Sequence, residues 1–230
     1  MPKKSQRERD AENRSTGSLL TSLVLALCFA LLGFVLGVTH LALMPVQTVR
    51  KLPAQGDRDP RVVYYVQPSG GSAPTYQIKE NTLYSREGGT VSVSADELNT
   101  WATNTFRFAR APEGTDEGGV VLIPSSPRFN LTDGSLNMAV MLEVRAYGKT
   151  HKVLFQTQGA FERGADGVVF VPQESYLGSA KLPPEVVTPL VNNFIYDIFA
   201  SSEAGEALLE AWDNLSDVRI EGNTLQLVKG

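Results

Sequence analysis

Ser179 and Lys181 stand two residues apart, and a desolvated lysine that takes a proton from a serine is a known apparatus for nucleophilic catalysis. Here the pair lies beside the end of a strand-like run and is read as facing solvent, where the lysine keeps its charge. The adjacent carboxylates Asp96 and Glu97, and Asp116 and Glu117, do not form acid–base couples either. Neighbouring residues on a helix point apart, and carboxylates on loops are solvated. His151 sits among Lys149 and Lys152 and reads as a surface residue; His40 falls inside an apolar run, as does Cys28, the only cysteine. One histidine outside that run and no second thiol leave no zinc site, no disulfide and no histidine-based triad. The chain carries no G-x-S-x-G, H-E-x-x-H, P-loop or G-x-G-x-x-G pattern. The sequons at Asn130 and Asn214 matter only in a eukaryotic secreted protein and are set aside. The expectation is a non-enzyme that implies no cofactor and no metal.

What the sequence does specify is an anchor. Ser18 to Met44 is a run of 27 residues without Asp, Glu, Lys or Arg. As a helix it extends about 40 Å, longer than the ~30 Å hydrocarbon core of a bilayer. It is too long for the apolar region of a cleaved signal peptide, and His40 to Pro45 makes a poor cleavage site. Leu27 before Cys28 argues against a lipoprotein signal. The run is read as an uncleaved signal anchor. The short tail of residues 1–17 holds Lys3, Lys4, Arg7, Arg9 and Arg14 and is placed in the cytoplasm, with the body outside, which puts the protein in a bacterial inner membrane. Gly33 and Gly37 form a G-x-x-x-G within the span and are candidate dimerisation positions, because two glycines one turn apart let helix backbones approach closely.

From Pro45 onward the chain has 16 Lys and Arg against 22 Asp and Glu, a net charge of −6. That argues against nucleic acid as a partner. Residues 45–74 are rich in proline, glycine and polar residues and read as a stalk and lead-in, leaving 75–230 as one extracytoplasmic domain with room for a core.

Within it, Val62–Val66 is β-prone, and Tyr76–Tyr84 suggests a hairpin turning at Glu80-Asn81. Val91–Val93 alternates as a strand, and Ser94-Ala-Asp-Glu97 has the spacing of a capping box. Leu98, Trp101, Ala102, Thr105 and Phe106 follow on one helical face, with Trp101 a core anchor. Between Gly119 and Val171 strand-like runs alternate with turns at Thr132–Ser135, Gly148-Lys149 and Arg163–Gly167, which predicts a long-stranded antiparallel sheet. Leu190, Val191, Phe194, Ile195, Ile198 and Phe199 then recur at helical spacing, a strongly apolar stripe on a helix from about Pro184 or Pro189 to Ala200. A shorter helix capped by Ser201-Ser202 carries Leu208, Leu209, Trp212 and Leu215, and Val218–Leu227 reads as a hairpin turning at Glu221–Asn223. The fold class expected is α+β: an N-terminal transmembrane helix, then a curved antiparallel sheet packed on an apolar helix.

The order of these pieces resembles small bacterial envelope proteins of the tubular lipid-binding (TULIP-like) superfamily. The residues concerned are Ser94, Glu97, Leu98 and Asn99 at the helix start, the meander, Tyr176–Ser179 with Leu182-Pro183, the apolar helix, and Asp217–Gly222. The resemblance spans roughly residues 75–230. It implies a curved sheet wrapped on a long helix and an apolar groove for lipid or another hydrophobic ligand, with Leu190, Val191, Phe194, Ile195, Ile198 and Phe199 lining it. The alternative is an envelope scaffold that acts through protein–protein contacts, in which the same stripe is ordinary core.

Overall fold

The computed structural model describes residues 6–68, 73–85, 87–106, 120–132, 134–146, 148–164, 167–189, 191 and 203–230. Two compact units emerge, residues 1–41 and 42–230.

The first is helical. Helix α1 runs Gln6–Leu43, and within it Thr21–Leu43 is a 23-residue apolar stretch. At ~1.5 Å per residue this is about 35 Å, enough to span a membrane. None of the stretch is buried within the protein, and Phe29, Phe34 and Leu36 are exposed on it.

The second unit begins with a parallel ribbon. β1 (Gln47–Val49) pairs with β2 (Tyr64–Val66), with the amide of Gln47 donating to the carbonyl of Val63 at 3.0 Å and that of Gln67 to Val49 at 2.9 Å. The proline-rich lead-in is therefore not a bare stalk, since part of it is a paired strand. Tyr76–Tyr84 is helix α2, not the hairpin its composition suggests. Its alternation is too short to separate the two periods, and tertiary contacts decide: Lys79 and Leu83, one turn apart, both face the unit that follows, Lys79 bonding Glu97 and Leu83 packing on the core.

That unit is strand, cap and helix. β3 (Gly89–Ser94) runs directly into α3 (Ala95–Thr105). Ser94 Oγ accepts from the Glu97 amide at 3.3 Å and Glu97 Oε2 accepts from the Ser94 amide at 2.8 Å, the reciprocal bonds of the capping box.

The main sheet is built from β4 (Val120–Pro124), β5 (Arg128–Thr132), β6 (Ser135–Ala146), β7 (Lys149–Gly164), β8 (Gly167–Leu177) and β9 (Ala180–Lys181). The order is β4-β6-β7-β8-β9, antiparallel throughout, with β5 continuing beside β4 along the same edge of β6. Gly134 and Gly148 turn the chain at φ 75° and 72°, where L side chains are strained. A second antiparallel sheet, β10-β11-β3, joins β3 to the hairpin of β10 (Leu215–Glu221) and β11 (Thr224–Lys229). Gly222 at φ 59° makes its two-residue turn.

Two apolar clusters lie on one face of the main sheet. In the first, Leu131, Leu136 and Val168 meet Val91, Val93, Leu215, Val218, Leu225 and Leu227 of the small sheet. Helix α5 (Glu203–Asp213) adds Trp212, whose indole N–H donates to the carbonyl of Val168 at 2.9 Å and whose ring packs on Phe161. The second gathers Met138 and Phe155 around Val187 and Val191, with Leu142, Leu177 and Leu182 beside them. Val187 and Val191 belong to α4, helical at 184–189 and 191. Opposite residues in a ladder share a face, so the row Phe129–Met138–Thr157–Ser175 points to this core. The row Arg128–Ala139–Gln156–Tyr176 points the other way.

Candidate functional site

Val191 is the one stripe residue whose surroundings are defined, and it is 4% exposed, packed with Met138, Phe155 and the fully buried Val187. Leu190, Phe194, Ile195, Ile198 and Phe199 lie outside the described residues, as do Ser201 and Ser202 and the pair Asp116 and Glu117. Gly33 and Gly37 sit in the apolar helix, and a side chain added at either would meet nothing within 4 Å. Both positions leave the helix backbone open to close approach from outside.

The polar groups with the most elaborate surroundings cluster where α2 meets α3. Glu97 is 5% exposed, and its carboxylate accepts from Lys79 Nζ at 2.6 Å, Thr75 Oγ1 at 2.7 Å, the Ser94 amide at 2.8 Å and Ser94 Oγ at 3.0 Å. Burial alone raises the pKa of such a carboxyl. The Lys79 ammonium, the Ser94 amide and the two hydroxyls outweigh it and hold Glu97 down to about 2. One turn along α2 from Tyr84, Glu80 accepts from Trp101 Nε1 at 3.1 Å and from the Tyr84 hydroxyl at 3.3 Å. Burial, and then the Glu80 charge and bond, push the Tyr84 phenol up to about 12. Trp101 packs edge-on against Phe106, so the ring is an anchor with a polar tie. Both carboxylates accept hydrogen bonds that tie α2 to α3. Chemistry at neutral pH needs a group whose proton can leave or arrive, and Glu97 offers none.

Asn99, 2% exposed, pairs with a strand. Its Nδ2 donates to the Phe129 carbonyl at 2.8 Å, and its Oδ1 accepts from the Phe129 amide at 2.7 Å. The Ser94, Glu97 and Asn99 positions thus have structural work: a cap, a carboxylate hub and a backbone clamp.

Lys181 is exposed and pairs with Glu174 at 3.0 Å. The Glu174 hydrogen bond, the largest cause, raises its pKa, opposite to what a lysine base requires. No hydrogen bond joins it to Ser179 among the described residues. His151 is exposed, within β7 opposite Val144. Among the described residues no group of His, Cys, Asp and Glu could hold a metal ion.

On the outward face of the main sheet, a cleft of about 330 Å³ is lined by Thr48, Tyr65, Gln67, Pro68 and Arg128. Gln156 Nε2 reaches the Tyr64 carbonyl at 3.4 Å, which places the β1–β2 ribbon over this face. Burial raises the Tyr65 pKa, and the Arg128 charge partly offsets it. Sequence reading missed this cleft, because nothing in residues 45–68 announces that they fold back on a strand eighty residues later. Lys79 escaped for a related reason: its meeting with Glu97 exists only once 76–84 is a helix.

Compared with protein-family models, with curated proteins and with solved structures, the chain gives no match.

Proposed function

We propose that this chain is a single-pass protein of a bacterial inner membrane whose domain from residue 45 onward faces away from the cytoplasm and binds a lipid or other hydrophobic ligand without catalysis. In this reading the main sheet curves around α4, and Leu190, Val191, Phe194, Ile195, Ile198 and Phe199 line an apolar groove. The observation that carries it is the seating of α4: Val187 and Val191 enter the apolar face of the sheet against Met138 and Phe155. The anchor, Thr21–Leu43, keeps such a domain beside its source of ligand. Gly33 and Gly37 supply a face through which two anchors pair.

One observation favours the second reading, an envelope scaffold. Val187 at 0% and Val191 at 4% exposure are packed against the sheet as ordinary core would be.

Native mass spectrometry of the released domain, residues 45–230 purified without detergent, separates the two. A co-purifying acyl-chain ligand is the expected result. A clean apo mass that stays unchanged after incubation with lipid extract favours the scaffold, and partner capture with the membrane-embedded chain then follows.

A further inference from the structure

Beside Pro68, the cleft under the β1–β2 ribbon is lined by four residues that carry hydrogen-bond donors. Thr48 and Tyr65 bring hydroxyls, Gln67 an amide and Arg128 a guanidinium, and no carboxylate lines it among the described residues. Arg128 is exposed and has no ion-pair partner among the described residues, whereas Arg61 pairs with Asp59, Arg145 with Glu143, and Arg219 with Asp217 and Glu221. Arg50, Arg58 and Arg163 are likewise without an ion-pair partner among the described residues, and what distinguishes Arg128 is that it lines the cleft. Its place is fixed by register: Arg128 lies opposite Ala139, which lies opposite Gln156, so two strand spacings, about 10 Å, separate it from the residue that holds the ribbon. Tyr65 is near enough to feel its charge.

We propose that this cleft binds the phosphate of a glycerophosphate-type ligand, with Arg128 as the charged donor and the hydroxyls of Thr48 and Tyr65 completing the site. A guanidinium gives a phosphate two parallel hydrogen bonds, and hydroxyls satisfy the remaining oxygens. Tyr65 stays protonated at neutral pH and donates. The volume is at the lower end of the roughly 300–1,000 Å³ of small-molecule sites, room for a phosphate and a glycerol-sized group but not for an acyl chain. Thr48 follows Leu43 by five residues, at most about 17 Å of extended chain, so a lipid headgroup is one source of the phosphate and a soluble phosphoester the other. The cleft is on the sheet face opposite Val187 and Val191, and the proposal does not rest on the hydrophobic-ligand reading.

The test is hydrogen exchange on the full chain in dodecyl maltoside micelles, which carry no phosphate, with glycerol 3-phosphate added, and separately in nanodiscs containing phosphatidylglycerol. Protection of residues 47–49 and 64–67 by glycerol 3-phosphate assigns a soluble source; protection only with phosphatidylglycerol assigns the headgroup. In either case Arg128→Gln should weaken the effect about tenfold or more, and Tyr65→Phe several-fold. The β6 and β7 amides report folding; if Arg128→Gln disturbs them, Tyr65→Phe decides. No protection in either arm, or protection that survives Arg128→Gln intact, overturns the proposal.

Discussion

Asn99 and Phe129 are joined as two strand residues would be: the side-chain amide of one exchanges both hydrogen bonds with the backbone of the other, at 2.8 and 2.7 Å. Helix α3 thereby pairs with β5 without being a strand. Asn99→Ala leaves a buried amide and carbonyl without partners, at a cost of about 3 kcal/mol in urea or thermal unfolding. Asn99→Asp keeps the acceptor but turns a carboxylate oxygen toward the Phe129 carbonyl, and is expected to cost at least as much near neutral pH.

The Glu97 hub makes stability depend on acid. Its folded pKa, about 2, is below the ordinary 4.5, so the stabilisation is fully present above about 4.5 and is lost as the pH falls toward 2. The contribution is on the order of 3 kcal/mol. Melting curves from pH 7 to pH 2 should show this loss in the natural chain. Glu97→Gln should be less stable at pH 7 and show a flatter profile through that window. Lys79→Met should be the more damaging change near neutrality, because it leaves the carboxylate buried without its cation.

Thr157 and Ser175 share one hydrogen bond of 2.7 Å on the core face, at 2% and 3% exposure. Removing one hydroxyl strands the other: Thr157→Val or Ser175→Ala alone should cost about 1–2 kcal/mol. The double variant should recover most of that loss, and a double-mutant cycle measures the coupling.

Gly159 sits at the β-bulge between β7 and β8, where a Cβ would come 2.2 Å from the Val171 carbonyl oxygen and 2.7 Å from the Phe170 ring. The ring can turn aside; the backbone cannot without breaking the ladder. Gly159→Ala should cost about 3 kcal/mol, whereas Gly56→Ala, with nothing within 4 Å, should be close to neutral.

Local signals in the sequence were legible where the chain determines its own conformation. Ser94 and Glu97 are three residues apart and satisfy each other, so the cap needs no tertiary partner. The strands from Val120 to Val171 declare themselves through turns whose glycines must take positive φ. Residues 76–84 failed this test because nine residues hold too few repeats to distinguish two periods, and contacts with Glu97 and Trp101 select the helix. The hub, the clamp and the Arg128 cleft all join residues about 18 to 80 positions apart. Their individual types are ordinary, and only the folded register makes them neighbours.

Because β1 and β2 run parallel, the chain enters the ribbon at one end, through Gln47, and leaves it at the other, through Gln67. Tension arriving along the backbone from Leu43 therefore loads the ribbon's hydrogen bonds together, in shear, rather than unzipping them one at a time. The ribbon is a mechanical clasp, and it yields all at once or not at all.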